Sequence, residues 1–125
     1  MATKIAIAGV KGRMGQNLIE SGLSNKGIKI VGVFDIAEID QEFLQTAKLP
    51  AAIATNREKS FEAADVIIDF TSPKALFAFT ESAVSSQTGL VIGTTGLEEQ
   101  HFNLLKQTGK STSVFYAPNM SFGVN

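Results

Sequence analysis

Cysteine is absent from this chain of 125 residues, and histidine occurs once, at His101. The first absence removes disulfides, thiolate catalysis and cysteine-ligated metal centres together. His101 alone builds no metal site, so none is expected. Blocks of like charge are missing too: 11 basic residues stand against 12 acidic ones, for a net charge of −1. A nucleic-acid partner leaves a basic stripe in a sequence, and without one no nucleic-acid partner is expected. No apolar run approaches the ~20 residues of a membrane span, so no membrane partner is expected either. The apolar stretch after Lys4 is shorter than a signal-peptide core, and a cytoplasmic location is the expectation. The length suits one domain, residues 1–125, able to bury most of its apolar surface.

What is present is an alternation of apolar and amphipathic segments. "KIAIAG" (4–9) reads as a buried strand, and Met14, Leu18, Ile19, Gly22 and Leu23 then mark one face of a helix. "IKIVGVFD" (28–35) is a second strand. Residues 36–64 are weaker, with short helical patterns near "EIDQEFLQTA" and "REKSFEAA". "DVIIDFT" (65–71) is a third strand, and Pro73 suits the first position of a helix running to about Ser85. "GLVIGTTG" (89–96) is a fourth strand, "EEQHFNLLKQTG" a helix closed by Gly109, and "TSVFYAP" (112–118) a fifth strand. Apolar, β-branched strands alternating with helices predict an α/β fold of Rossmann type: a doubly wound parallel sheet covered on both faces. The chain stops just after a strand, at "APNMSFGVN", and reads as cut rather than finished.

The first strand runs into Gly9, Gly12 and Gly15, a G-x-x-G-x-x-G. On its own such a loop only turns a corner between strand and helix. Directly after a strand and opening a helix, it has the context of a dinucleotide fingerprint, where helix N–H groups face a pyrophosphate. Asp35 supplies an independent sign. It ends the second strand twenty residues after Gly15, where an acidic residue bonds the ribose hydroxyls of NAD. A P-loop needs G-K-[ST] at its end, and this loop ends R-M-G-Q, which disfavours ATP or GTP hydrolysis. Three further stretches, "DFTSP" (69–73), "GTTG" (93–96) and "APNMSFGVN" (117–125), follow strands at the edge where open α/β sheets bind ligands. Thr71 and Thr94 suit helix capping as well as ligand contact.

In this order and spacing, "AGVKGRMG", "IDFTSP", "VIGTTG" and "APNMSFGVN" resemble 4-hydroxy-tetrahydrodipicolinate reductase (dihydrodipicolinate reductase), from about Lys4 to Asn125. The resemblance implies reduction of a cyclic imine dicarboxylate with NADH or NADPH on the route to diaminopimelate and lysine. It also implies a second, α+β substrate domain, absent from this chain, that builds a homotetramer. Gly9, Val10, Lys11, Gly12, Arg13 and Met14 would wrap the pyrophosphate, and Asp35 would bond the adenosine ribose. Phe70 and Thr71 would line the nicotinamide side. Gly93, Thr94 and Thr95 would meet the nicotinamide ribose and amide, with Thr95 reaching the substrate. Ala117, Pro118, Asn119 and Met120 would close that pocket. The family's catalytic histidine and lysine, in an S-H-H-x-x-K-x-D-like stretch, have no counterpart here, so no catalytic residue is expected in this chain. His101, beside Leu97, Leu104 and Leu105, suits packing instead.

Asp35 is followed by Ile36, where family members using both cofactors often carry an arginine for the 2′-phosphate. The carboxylate then predicts a modest NADH preference, offset in part by Lys11 or Arg13, with Arg13 alternatively on the pyrophosphate. Two other readings stay open. A homoserine or amino-acid dehydrogenase with a related first domain fits, as does an NAD-binding regulatory module. Thioester-type semialdehyde dehydrogenases lack their cysteine here. Short-chain dehydrogenases need Tyr-x-x-x-Lys, whereas Tyr116 is followed four residues later by Met120.

Overall fold

The structure is a computed structural model and describes residues 2–117. Five strands, β1 (Thr3–Ala8), β2 (Ile28–Phe34), β3 (Val66–Asp69), β4 (Gly89–Ile92) and β5 (Val114–Tyr116), form one parallel sheet in the order β2-β1-β3-β4-β5. The helices are α1 (Arg13–Leu23), α2 (Gln41–Thr46), α3 (Arg57–Ala63), α4 (Leu76–Ser86) and α5 (Glu99–Thr108). A 3₁₀ turn at Pro73–Ala75 leads into α4, with the proline at the helix start where its missing N–H costs nothing.

Strand alternation, with one extra residue in β2 opposite Ile5 and Ala6, decides the two cores. Ile5, Ile7, Ile30 and Val33 point to one face and meet Leu18 and Ile19 of α1 and Leu44 of α2. Ala6, Ala8, Ile67, Leu90 and Ile92 point to the other, against α3, α4 and α5. The small Ala6 and Ala8 leave room there for a trio of rings, Phe34, Phe61 and Phe79, with centroids 5.6–6.3 Å apart. Each side chain fully buried in these layers stabilises the fold by about 1.5–3 kcal/mol. Leu23, read from the sequence as part of the buried face of α1, is instead 48% exposed at the helix end.

The weakly patterned residues 36–64 form α2 and α3, both started by side-chain caps. Asp40 accepts from the Phe43 N–H and Asn56 from the Lys59 N–H, each at 2.9 Å. Between these helices Ala54 pairs with Gly32 as a single parallel bridge on the outer edge of β2. Its N–H donates to the Val31 carbonyl at 3.2 Å, and its carbonyl accepts from Val33 at 2.9 Å. The third and fourth strands also stop earlier than their apolar runs suggest, at Asp69 and Ile92. Residues 70–72 and 93–97 are thereby freed as loops at one end of the sheet.

Candidate cofactor site

The chain leaves β1 for β2 on one side and later enters β3 on the other. That reversal opens a crevice at the carboxyl ends of β1 and β3. The glycine loop fills its near wall, and its three glycines do different work. Gly9 has φ +79°, and a Cβ there would lie 3.1 Å from the Phe70 carbonyl oxygen. A Cβ on Gly15 would lie 2.6 Å from Val10 Cα and 2.7 Å from the Gly9 and Val10 oxygens, so α1 packs on its own loop through this position. Gly12 differs. Its φ is −76°, open to any residue, and a Cβ would meet only the Gly9 oxygen at 3.5 Å. The fold requires small residues at Gly9 and Gly15; at Gly12 it does not.

The resulting cleft, about 390 Å³, is bordered by Gly9, Gly12, Arg13, Met14 and Gly15 of the loop, Phe70 and Thr71 after β3, and Gly93, Thr94 and Thr95 after β4. Gly12 is the N-cap of α1 and offers no side chain to the first turn. The free N–H groups there and the positive end of the helix dipole therefore face open space, with Arg13 bordering the same cleft. Such a wall suits a phosphate.

Behind the far wall, Asp69 organises both threonines. Its Oδ1 accepts from the Thr71 N–H (2.8 Å) and Oγ1–H (2.6 Å), and its carbonyl accepts from Thr94 Oγ1 at 3.4 Å. Neither threonine caps a helix. A Cβ on Gly93 would land in the edge of the Phe70 ring, so glycine lets that ring lie against the strand end. Asp69 is itself fully buried, and its Oδ2 has no hydrogen-bond partner among the described residues. Burial pushes this carboxyl above the usual carboxylate range, against the lowering pull of the two bonds from Thr71.

The raised value has a direction for stability. As pH rises past about 4 the unfolded chain loses this proton first while the folded chain keeps it. The contribution of Asp69 is full below that pH and is lost as pH climbs through the raised folded value. Asp69→Asn keeps an acceptor for Thr71 and cannot ionise, so its unfolding free energy should fall less over this window than that of the parent. Parallel pH profiles from chemical denaturation would show that Asp69 is already ionised in the folded chain.

The remaining expected site residues fall elsewhere. Val10 is fully buried and belongs to the core beneath α1, so its side chain does not border the cleft. Lys11 borders neither this cleft nor its neighbour; its Nζ lies 5.9 Å from the Phe43 ring centroid. Asp35 stands in an adjoining, smaller cleft. Its two oxygens accept from Lys11 N–H (2.8 Å) and Ile36 N–H (2.7 Å), leaving further lone pairs open. Ala117 is tied to the strand end by its N–H, 2.8 Å from the Ile92 carbonyl. Pro118, Asn119 and Met120 lie outside the described residues. His101 accepts the Glu98 N–H through Nδ1 at 2.9 Å, which closes the start of α5 and makes this histidine structural. The sequence reading places Gly15 in the fingerprint and Asp69 in the "DFTSP" edge stretch but gives neither a contact of its own. "D-x-T" at a strand end, the pattern of an aspartate bonding its own backbone two residues on, was the available signal for Asp69.

Fold and cleft together define a nucleotide-cofactor-binding domain of Rossmann type. Comparison with known proteins narrows this class. The family profile described as "Dihydrodipicolinate reductase, N-terminus" matches residues 3–120, and the chain belongs to that family. It is 41% identical over 123 residues to 4-hydroxy-tetrahydrodipicolinate reductase of Wolinella succinogenes, covering 97% of this chain and 46% of that protein. Among solved structures, dipicolinate-bound dihydrodipicolinate reductase from Paenisporosarcina sp. TG-14 is 26% identical with a TM-score of 0.70 over 95% of this chain and 48% of that one. GenD2 from gentamicin A biosynthesis, in complex with NAD, shares the fold at 12% identity and a TM-score of 0.75, over 94% of this chain and 35% of that one. The chain spans about half the length of the reductases it matches.

Proposed function

We propose that this chain is the cofactor-binding half of a 4-hydroxy-tetrahydrodipicolinate reductase, an NAD(P)H-dependent enzyme of diaminopimelate and lysine biosynthesis. The observation that carries the reading is Gly12: the fold does not need its smallness, and an approaching pyrophosphate does. The uncapped start of α1 stands beside it, and Arg13 borders the same cleft. Gly9 to Met14 then hold the pyrophosphate, with Val10 contributing through its backbone, and Asp35 takes the adenosine ribose.

The nicotinamide lies toward Phe70, Thr71, Gly93, Thr94 and Thr95. When bound, it supplies the hydride for imine reduction. Asp69 keeps Thr71 and Thr94 in place, Phe70 offers an apolar surface that excludes water, and Thr95, exposed at the cleft mouth, reaches the dicarboxylate substrate. Ala117 to Met120 close the nicotinamide pocket. The proton donor of the reaction, the substrate domain and the homotetramer contacts belong to a second half of the enzyme.

Titration of the 125-residue chain tests this reading. Both NADH and NADPH should bind, NADH modestly tighter, because Asp35 repels a 2′-phosphate. The cyclic imine should not turn over. Absence of binding by either cofactor would remove the reading, and turnover by this chain alone would show that it carries its own proton donor.

A further inference from the structure

The smaller cleft beside Asp35 has an apolar floor of Phe34, Ala75 and Phe79, and Ile36 stands at its rim, 99% exposed. Asp35 and Arg57 both border it, although 22 residues separate them in the chain (57 − 35). The Ala54–Gly32 bridge brings them together. It pins the strand-like residues before α3 to the edge of β2, so α3 starts, at Arg57, next to the end of that strand. Among the described residues Arg57 is the one cation bordering this cleft, and no ion pair holds it there.

We propose that Arg57 receives the 2′-phosphate of NADPH, and so sets how well this chain accepts NADPH beside NADH. The inference rests on the cofactor reading above, with Asp35 at the adenosine ribose. The 2′-substituent then lies at the mouth of this cleft, and neither of the other two candidate cations borders it. Lys11 lies over Phe43, and Arg13 borders the glycine-loop cleft where the pyrophosphate belongs. A guanidinium matches a phosphate with two parallel N–H donors, and its planar face also lies readily over a purine ring. Asp35 and Arg57 thus act in opposition: the carboxylate favours a free hydroxyl and the guanidinium a phosphate. Neither excludes the other cofactor.

The experiment is a set of dissociation constants for NADH and NADPH at low and moderate salt, measured on the parent chain, Arg57→Ala and Arg57→Lys. Arg57 is exposed and at the first position of its helix, so neither variant disturbs the core. Arg57→Ala should weaken NADPH by about tenfold or more and NADH by less than about twofold. Arg57→Lys should recover part of the loss, since a point charge lacks the fork. The salt dependence of NADPH binding should fall in Arg57→Ala. Equal weakening of both cofactors would overturn the proposal and place Arg57 on the adenine. Unchanged NADPH binding would overturn it while leaving the cofactor reading intact. A parent chain that binds neither cofactor would remove both.

Discussion

Gly12→Val should abolish measurable NADH and NADPH binding and leave a folded protein. The backbone at Gly12 is already extended, and a Cβ finds only the Gly9 oxygen, 3.5 Å away, within contact range. The protein itself therefore tolerates the side chain. As the N-cap of α1, valine is a poorer choice than glycine, and the cost to stability is about 1 kcal/mol. The two γ-methyls instead occupy the cleft, between the first N–H groups of α1 and any phosphate. Losing that contact should weaken binding by roughly a hundredfold or more, about 2.7 kcal/mol. Isothermal titration on a variant whose circular dichroism matches the parent provides the measurement. Unchanged affinity would reduce the loop to a turn between strand and helix.

Gly15→Ala, three residues along, should do the reverse: it damages the fold first and the site only as a consequence. Its new methyl group falls 2.6–2.7 Å from three backbone atoms of Gly9 and Val10, which cannot swing aside as a flexible side chain would. Either α1 lifts from the loop or the loop moves, and both disturb the packing of Val10, Leu18 and Ile19 beneath. Overpacking of this kind costs about 3 kcal/mol or more, reduced by up to ~1 kcal/mol because alanine is the better helix former. Against a typical total of 5–15 kcal/mol for a domain, that is a large share. Urea unfolding should show a clearly lower midpoint, with the slope unchanged. A midpoint equal to that of the parent would mean that α1 stands further from the loop than described. The pair separates binding from stability within one seven-residue motif.

The outcome bears on how much of this protein its sequence reveals. The sequence by itself determined the order of strands and helices, because apolar periodicity reports which face of each segment is buried. It determined the glycine loop and Asp35 as a pair, because the spacing of turn and acid along a strand-helix-strand unit is local. It pointed to a packing role for His101, a lone histidine beside leucines on a helix; that its Nδ1 accepts the Glu98 N–H only the structure shows. The tertiary structure decided which glycine serves which end. Gly9 and Gly15 are set by distances to Phe70 and to the packed start of α1, while Gly12 is marked by empty space, which no local pattern encodes. It decided that Val10 belongs to the core, that Asp69 is the buried anchor of Thr71 and Thr94, and that Arg57 shares a cleft with Asp35. The Asp69–Thr94 contact depends on the register of β3 with β4, and the Arg57–Asp35 pairing on one non-local bridge, Ala54 to Gly32; both bring together residues that the chain keeps far apart. Periodicity is a property of neighbours in sequence; a site is a property of neighbours in space.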